Sequence, residues 1–151
     1  MPIVRATPAE QVDGDVRAVT AWLADQSFAA PRRIGITGFC WGGAVVWRSA
    51  MVNPAIRAGV AWYGRVADLV PRAGELKAPV LGLYASADRG IPQADVDAMN
   101  AALVKAGRPG RIEVFPGTEH GFHADYRASY NPAAAEKGWR MMRAFFRKHG
   151  V

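Results

Sequence analysis

One cysteine stands in 151 residues, so no disulfide forms within the chain, and no Cys/His cluster has the spacing of a zinc site. No apolar run approaches the roughly 18 residues of a membrane span, and the opening Met1-Pro2-Ile3-Val4-Arg5 lacks the long apolar stretch of a secretory signal. A cytoplasmic protein with no membrane partner is therefore expected. Basic residues exceed acidic ones for a formal net charge of +6, yet the longest basic clusters are pairs such as Arg32-Arg33 and Arg147-Lys148, without a basic stripe interleaved with aromatics. Nucleic-acid binding is not expected. The arginines read as a solvated surface whose weak general field favours anionic substrates. Repeats, low-complexity tracts and linkers are also absent.

What is present is the composition of one soluble globular domain spanning 1–151, with 50% hydrophobic and 21% charged residues, enough apolar surface to offset chain entropy. Thr7 to Gln26 reads as an amphipathic helix: Thr7 as N-cap, Pro8 at the first helical position, Glu10 three residues after the cap, then Val12, Val16, Val19, Trp22 and Leu23 at helical spacing. Gly14 weakens it. Arg32 to Thr37 is β-branched at Ile34, Ile36 and Thr37 and reads as a buried strand. Further along, Gly42 to Met51 is predicted as a helix, Ile56 to Tyr63 as a strand, Val80 to Tyr84 as a strand, Pro92 to Ala106 as a helix closed by Gly107, Ile112 to Phe115 as a strand, and Pro132 to His149 as a helix. Pro71 to Pro79 reads as an irregular connection. Such alternation predicts a mostly parallel sheet of about four strands with helices on both faces, an α/β class in three layers.

Active sites of open parallel sheets lie at the carboxyl ends of the strands. Three of the four strand ends carry a nucleophile, an acid and a base. Gly38-Phe39-Cys40-Trp41-Gly42-Gly43 has the form of a strand-to-helix elbow, in which flanking glycines avoid backbone collisions and the nucleophile is pushed out above the sheet. The helix start at Gly42 brings a dipole and free amides that favour a thiolate and an oxyanion. Asp88 follows the third strand and precedes a helix, whereas Asp95 and Asp97 lie inside that helix. His120 lies in the glycine-bounded Pro116 to Phe122 loop, with His123 as reserve base and His149 in the terminal helix. The chain order is nucleophile, acid, histidine, which differs from the chymotrypsin and subtilisin orders.

The elbow, the Tyr84 to Pro92 acid loop, and His120-Gly121-Phe122-His123 followed by Asp125-Tyr126-Arg127 together resemble the dienelactone hydrolase (carboxymethylenebutenolidase) family of α/β-hydrolases. The resemblance runs over nearly all of the chain and corresponds to the C-terminal two-thirds of that family. It implies an N-terminally truncated α/β-hydrolase fold that hydrolyses a small-molecule ester or lactone through a Cys-His-Asp triad, without metal or organic cofactor. Cys40 would attack the carbonyl, His120 would move protons, Asp88 would orient the imidazole, and the amide of Trp41 would stabilise the oxyanion. Family members bind a substrate carboxylate with arginines, for which Arg127 is the nearest candidate. Tyr63, Phe39 and His123 are expected around the acyl group. The resemblance also implies that the N-terminal strands, the loop bearing the second oxyanion amide and an N-terminal glutamate have no counterpart here. An apolar edge along Arg32 to Thr37 is then exposed, so a homo-oligomer or a partner chain across that strand is expected. Two other readings stand beside hydrolysis: a fragment active only with a chain carrying the missing strands, and a thiol-reactive redox protein.

Overall fold

The computed structural model describes residues 6–151; Met1 to Arg5, read above as no secretory signal, lie outside them. Strands β1 (Gly35–Phe39), β2 (Ala58–Trp62), β3 (Val80–Ala85) and β4 (Gly110–Phe115) form one parallel sheet in the order β1-β2-β3-β4. Around it lie helices α1 (Ala9–Ala24), α2 (Trp41–Val52), α3 (Gln93–Lys105) and α4 (Pro132–Lys148), with a 3-10 helix at Ala67–Glu75. Gly35 stands opposite Ala58 and Phe39 opposite Trp62, while Val80 pairs with Gly110 and Ala85 with Phe115. All four strands therefore finish along one edge, where the loops carrying Cys40, Tyr63, Asp88 and His120 begin.

Two helix layers enclose the sheet, which is why β2 and β3 are buried at every residue and read as continuous apolar runs rather than alternating ones. A Cβ on Gly59 would meet Val46 of α2 at 2.7 Å, whereas one on Gly138 of α4 would meet Trp62 at 2.7 Å. Residues 59 and 62 point to opposite faces of a strand, so α2 and α4 lie on opposite sides of the sheet. Gly110 faces both Leu103 of α3 and Trp47 of α2, which places α3 on the α2 side. Trp47 is fully buried there, and its indole N–H donates to Tyr84 Oη (3.1 Å), whose own hydroxyl donates to the carbonyl of Gly64 (2.5 Å). That relay ties α2 and β3 to the turn after β2. Burial of such a ring contributes about 3 to 5 kcal/mol, judged by the usual loss on truncation to alanine.

All eight predicted helices and strands are found, with ends shifted by no more than three residues. Three differences have physical reasons. α1 starts at Ala9, not after Thr7: the carbonyl of Pro8 accepts the first helical bond from Val12 (3.3 Å), while its ψ of 146° is non-helical, so Pro8 is itself the cap. Arg32 to Ile34 lead into the sheet through a turn closed by Arg33 N–H on Ala30 O (2.9 Å), and β1 runs on to Phe39. The first half of the expected irregular stretch is ordered: Leu69 and Ala73 are buried in the 3-10 helix and Val66 and Leu76 at its two ends, and Pro71 inside it, which has no N–H to donate, follows a turn closed by Leu69 N–H on Val66 O (2.8 Å).

β1 pairs with β2 alone among the described residues and is only half buried. The apolar hollow between it and α1, lined by Val16, Val19, Leu23, Ile34 and Ile36, sits beside this outer edge.

Candidate active site

Cys40 occupies the single position between β1 and α2, with φ 54° and ψ −119°. Positive φ in a non-glycine residue is strained by about 1–3 kcal/mol and persists only where surrounding bonds over-determine it. Here the Cys40 N–H donates to Trp62 O (3.0 Å), and its carbonyl accepts from Gly43 (3.0 Å) and Ala44 (3.3 Å). The turn is also packed backbone on backbone. A Cβ on Gly38 would lie 2.4 Å from Gly42 O, and one on Gly64 would lie 2.3 Å from Ala44 N. Gly42 differs from the sequence expectation, because a Cβ there meets nothing within 4 Å. Gly38→Ala is accordingly expected to destabilise the chain by about 3 kcal/mol or more. Gly42→Ala should be neutral or stabilising by up to about 1 kcal/mol through helix propensity. Urea midpoints measure both, and equal losses would contradict this packing.

Asp88 and His120 come from neighbouring loops that are laced together. Ala87 N–H donates to Thr118 O (2.9 Å), Gly117 N–H to Ser86 Oγ (2.8 Å), and Thr118 Oγ1 to Phe115 O (2.8 Å). Asp88 is 8% exposed, and its Oδ1 accepts from Gly90 N–H at 2.8 Å, which aims Oδ2 at His120 Nδ1, 2.6 Å away. Ser129 Oγ holds the His120 carbonyl from the other side (2.8 Å). The imidazole then reaches Cys40, with Nε2 3.1 Å from Sγ. A buried carboxylate can only accept, so the proton belongs on Nδ1, and the Nε2 lone pair faces the thiol. Asp95 and Asp97 ride on α3, the latter bonded to Gln93 (3.0 Å). His149 caps α4 against Phe145.

Burial pushes the Cys40 thiol up from its ordinary value; Arg127 pulls it back and Asp88 adds to the rise. Loss of hydration is the largest of these influences and acts against the thiolate that the helix start favours. A raised thiol stays protonated at neutral pH and loses its proton only as pH climbs. Alkylation by iodoacetamide should therefore be slow at pH 7 and rise with an inflection above that of a free cysteine, about 8.5. Arg127→Gln should move the inflection further up. A rate already at its plateau below pH 7 would show a resting thiolate–imidazolium pair instead.

Cys40 opens onto a cleft of about 530 Å³ lined by Phe39, Tyr63, His123, Tyr126, Tyr130 and Trp139, with Asp125 and Glu136 as its carboxylates. Phe39 stacks on Trp62 at 5.2 Å, and His123 lies between Trp62 (4.6 Å) and Trp139 (5.7 Å), so this second histidine is wall rather than base. Burial depresses its basicity. Tyr63 is buried with φ 36°, its ring 5.0 Å from that of His120; burial pushes its phenol up, so it remains a neutral hydroxyl. Arg127 does not line the cleft. It is exposed, its stem covers Gly121, and its guanidinium sits 5.9 Å over the Tyr126 ring. Trp41 is the first residue of α2, so its amide is among those that the helix leaves unbonded. Tyr130, Glu136 and Trp139 have no role in the sequence reading, and Tyr126 enters it only within the Asp125-Tyr126-Arg127 motif. The signal available was an aromatic and polar cluster within twenty residues of His120.

The family model described as the dienelactone hydrolase family matches residues 1–150. A Methylorubrum extorquens protein, provisionally named carboxymethylenebutenolidase, is 46% identical over 99% of this chain and 54% of its own length. An Escherichia coli protein of the same provisional name is 41% identical over 98% of this chain and 58% of its own. The chain thus spans little more than half the length of these relatives. A crystal structure from Klebsiella pneumoniae, provisionally a dienelactone hydrolase, superposes with a TM-score of 0.92 at 42% identity, covering 96% of this chain and 64% of that one. With its fold, its elbow and these matches in agreement, the chain belongs to the dienelactone hydrolase family.

Proposed function

We propose that this site hydrolyses a carboxylic ester or lactone through an acyl-thioester on Cys40. The observation that carries the reading is the unbroken line from Asp88 Oδ2 through His120 to Cys40 Sγ, at 2.6 and 3.1 Å. His120 Nε2 takes the thiol proton as sulfur attacks the carbonyl carbon; the carbon–oxygen bond to the leaving group breaks, and His120 returns the proton to that oxygen. Water, deprotonated by the same nitrogen, then attacks the thioester; the acid departs and sulfur recovers its proton. Asp88 holds the useful tautomer and stabilises the imidazolium of each transfer. The Trp41 amide is the oxyanion donor in this reading.

The raised thiol supports general-base activation at the moment of attack over a standing thiolate, and it counts against a peroxide-reactive role, which needs thiolate character. Incubation with a p-nitrophenyl ester and with a dienelactone tests the reaction class. The expected result is release of alcohol and acid, or ring opening, above the buffer rate; no excess on either compound would remove the proposal.

A further inference from the structure

We propose that the sheet edge opposite Cys40 binds an oligophosphate anion, free or carried on a nucleotide, independently of the chemistry at Cys40. All strands of a parallel sheet are entered from one edge, and here each entrance carries a basic residue one to three positions ahead: Arg32 before β1, Arg57 before β2, Lys77 before β3 and Arg108 before β4. Cations far apart in sequence thus gather around two hollows. One, of about 550 Å³, is lined by Arg32, Arg57 and Lys77; the other, of about 260 Å³, by Arg108, Arg111, Lys148 and His149. Among the described residues, no carboxylate side chain lines either. Pro79 belongs to both, and Pro31, Pro54 and Pro109 add further walls whose φ angles are fixed before a ligand arrives.

Part of this charge has an internal task. Arg57 Nε donates to His149 O (2.9 Å) and Arg33 Nε to Gly150 O (2.8 Å), which offsets the carbonyl end of α4. Glu113 is paired with Arg111 (3.0 Å), and Glu75, which Lys77 also influences, with Arg72 (2.7 Å). Arg32, Lys77 and Arg108, by contrast, make no side-chain hydrogen bond or ion pair among the described residues. The two hollows share one positive field: burial first, then Lys148, Arg57 and Arg111, hold the basicity of His149 below its ordinary value, and Arg57 belongs to the larger hollow. Arginine forks match phosphate oxygens in pairs, and a chain of phosphates carries several charges where a carboxylate carries one. Phe145, the aromatic ring of the smaller hollow, is buried, so the phosphates are recognised and no stacking platform for a nucleic-acid strand is present there.

Isothermal titration of the full chain with sodium tripolyphosphate and with adenosine triphosphate, at one ionic strength held by sodium chloride, tests the site. Both are expected to bind, with equal affinity if the phosphates alone are recognised and with adenosine triphosphate tighter if the nucleoside adds contacts. Combined Arg32→Gln, Lys77→Gln and Arg108→Gln should weaken both by at least about tenfold. Combined Arg17→Gln, Arg65→Gln and Arg89→Gln removes the same charge from α1 and from the loops after β2 and β3, and should weaken them by less than about twofold. Tripolyphosphate should also raise the pH at which His149 titrates by NMR, because an anion nearby favours the imidazolium; His149→Gln identifies the resonance. Equal losses in the two triple variants would reduce the effect to the general field of a basic protein and overturn the inference. Absence of binding by either ligand, or tighter binding of a short DNA duplex than of both, would overturn it as well.

Discussion

Cys40→Ala is expected to lower ester hydrolysis by a factor on the order of 10⁴ or more, the scale on which removal of a triad nucleophile acts elsewhere. Among the described residues, the two nearest candidates to replace it are otherwise committed. Tyr63 has its phenol held neutral by burial, and Asp88 is spent on His120. Cys40→Ser retains a proton donor within reach of Nε2 and should keep measurable activity, because a serine hydroxyl paired with histidine is itself a competent nucleophile. Folding should survive both changes, since the strained turn is held by the backbone bonds of Cys40 to Trp62, Gly43 and Ala44. Comparison of kcat/KM for the three proteins on one p-nitrophenyl ester decides the matter. Equal rates for Cys40→Ala and wild type would place the chemistry elsewhere.

Asp88→Asn is expected to be nearly as severe, about 10⁴-fold in kcat, while leaving the urea midpoint almost unchanged. The carboxamide keeps an oxygen for Gly90 N–H, so the loop has little reason to move. Its nitrogen then faces His120 Nδ1 and favours the tautomer with the proton on Nε2, where it meets the thiol proton instead of accepting it. Asp95→Asn and Asp97→Asn should retain activity, since both residues ride on α3 away from the imidazole. A full-activity Asp88→Asn enzyme, or collapse in either helix variant, would assign the acid to another carboxylate.

Whatever is fixed by a few consecutive residues is legible in the sequence. The elbow shows because a Cβ on Gly38 would lie 2.4 Å from Gly42 O, so only glycine fits there, and the strand ends show because β2 and β3 are buried at every residue. Those two signals sufficed to choose Cys40, Asp88 and His120, and the expected exposed strand edge corresponds to β1, outermost in the sheet. Properties that arise between distant segments were not legible. Trp139 keeps the spacing of a helix face, and only the crossing of α4 over β2 at Gly138 turns it toward His123. Gly42 was over-read: nothing crowds it, and its neighbour Gly43, facing Trp62 O, carries the steric demand. Pro71 to Pro79 reads as an irregular connection because short 3-10 segments leave no helical periodicity in the sequence, yet Ala67–Glu75 is a 3-10 helix.

The covalent intermediate is the centre of the account, and mass spectrometry of the protein quenched in acid during turnover of a p-nitrophenyl ester looks for it directly. The expected result is a single acyl group on the peptide containing Cys40, appearing at the rate of p-nitrophenolate release, decaying as substrate is exhausted, and absent from Cys40→Ala. Acylation at another residue, or hydrolysis that persists undiminished in Cys40→Ala with no acyl group found, would contradict it.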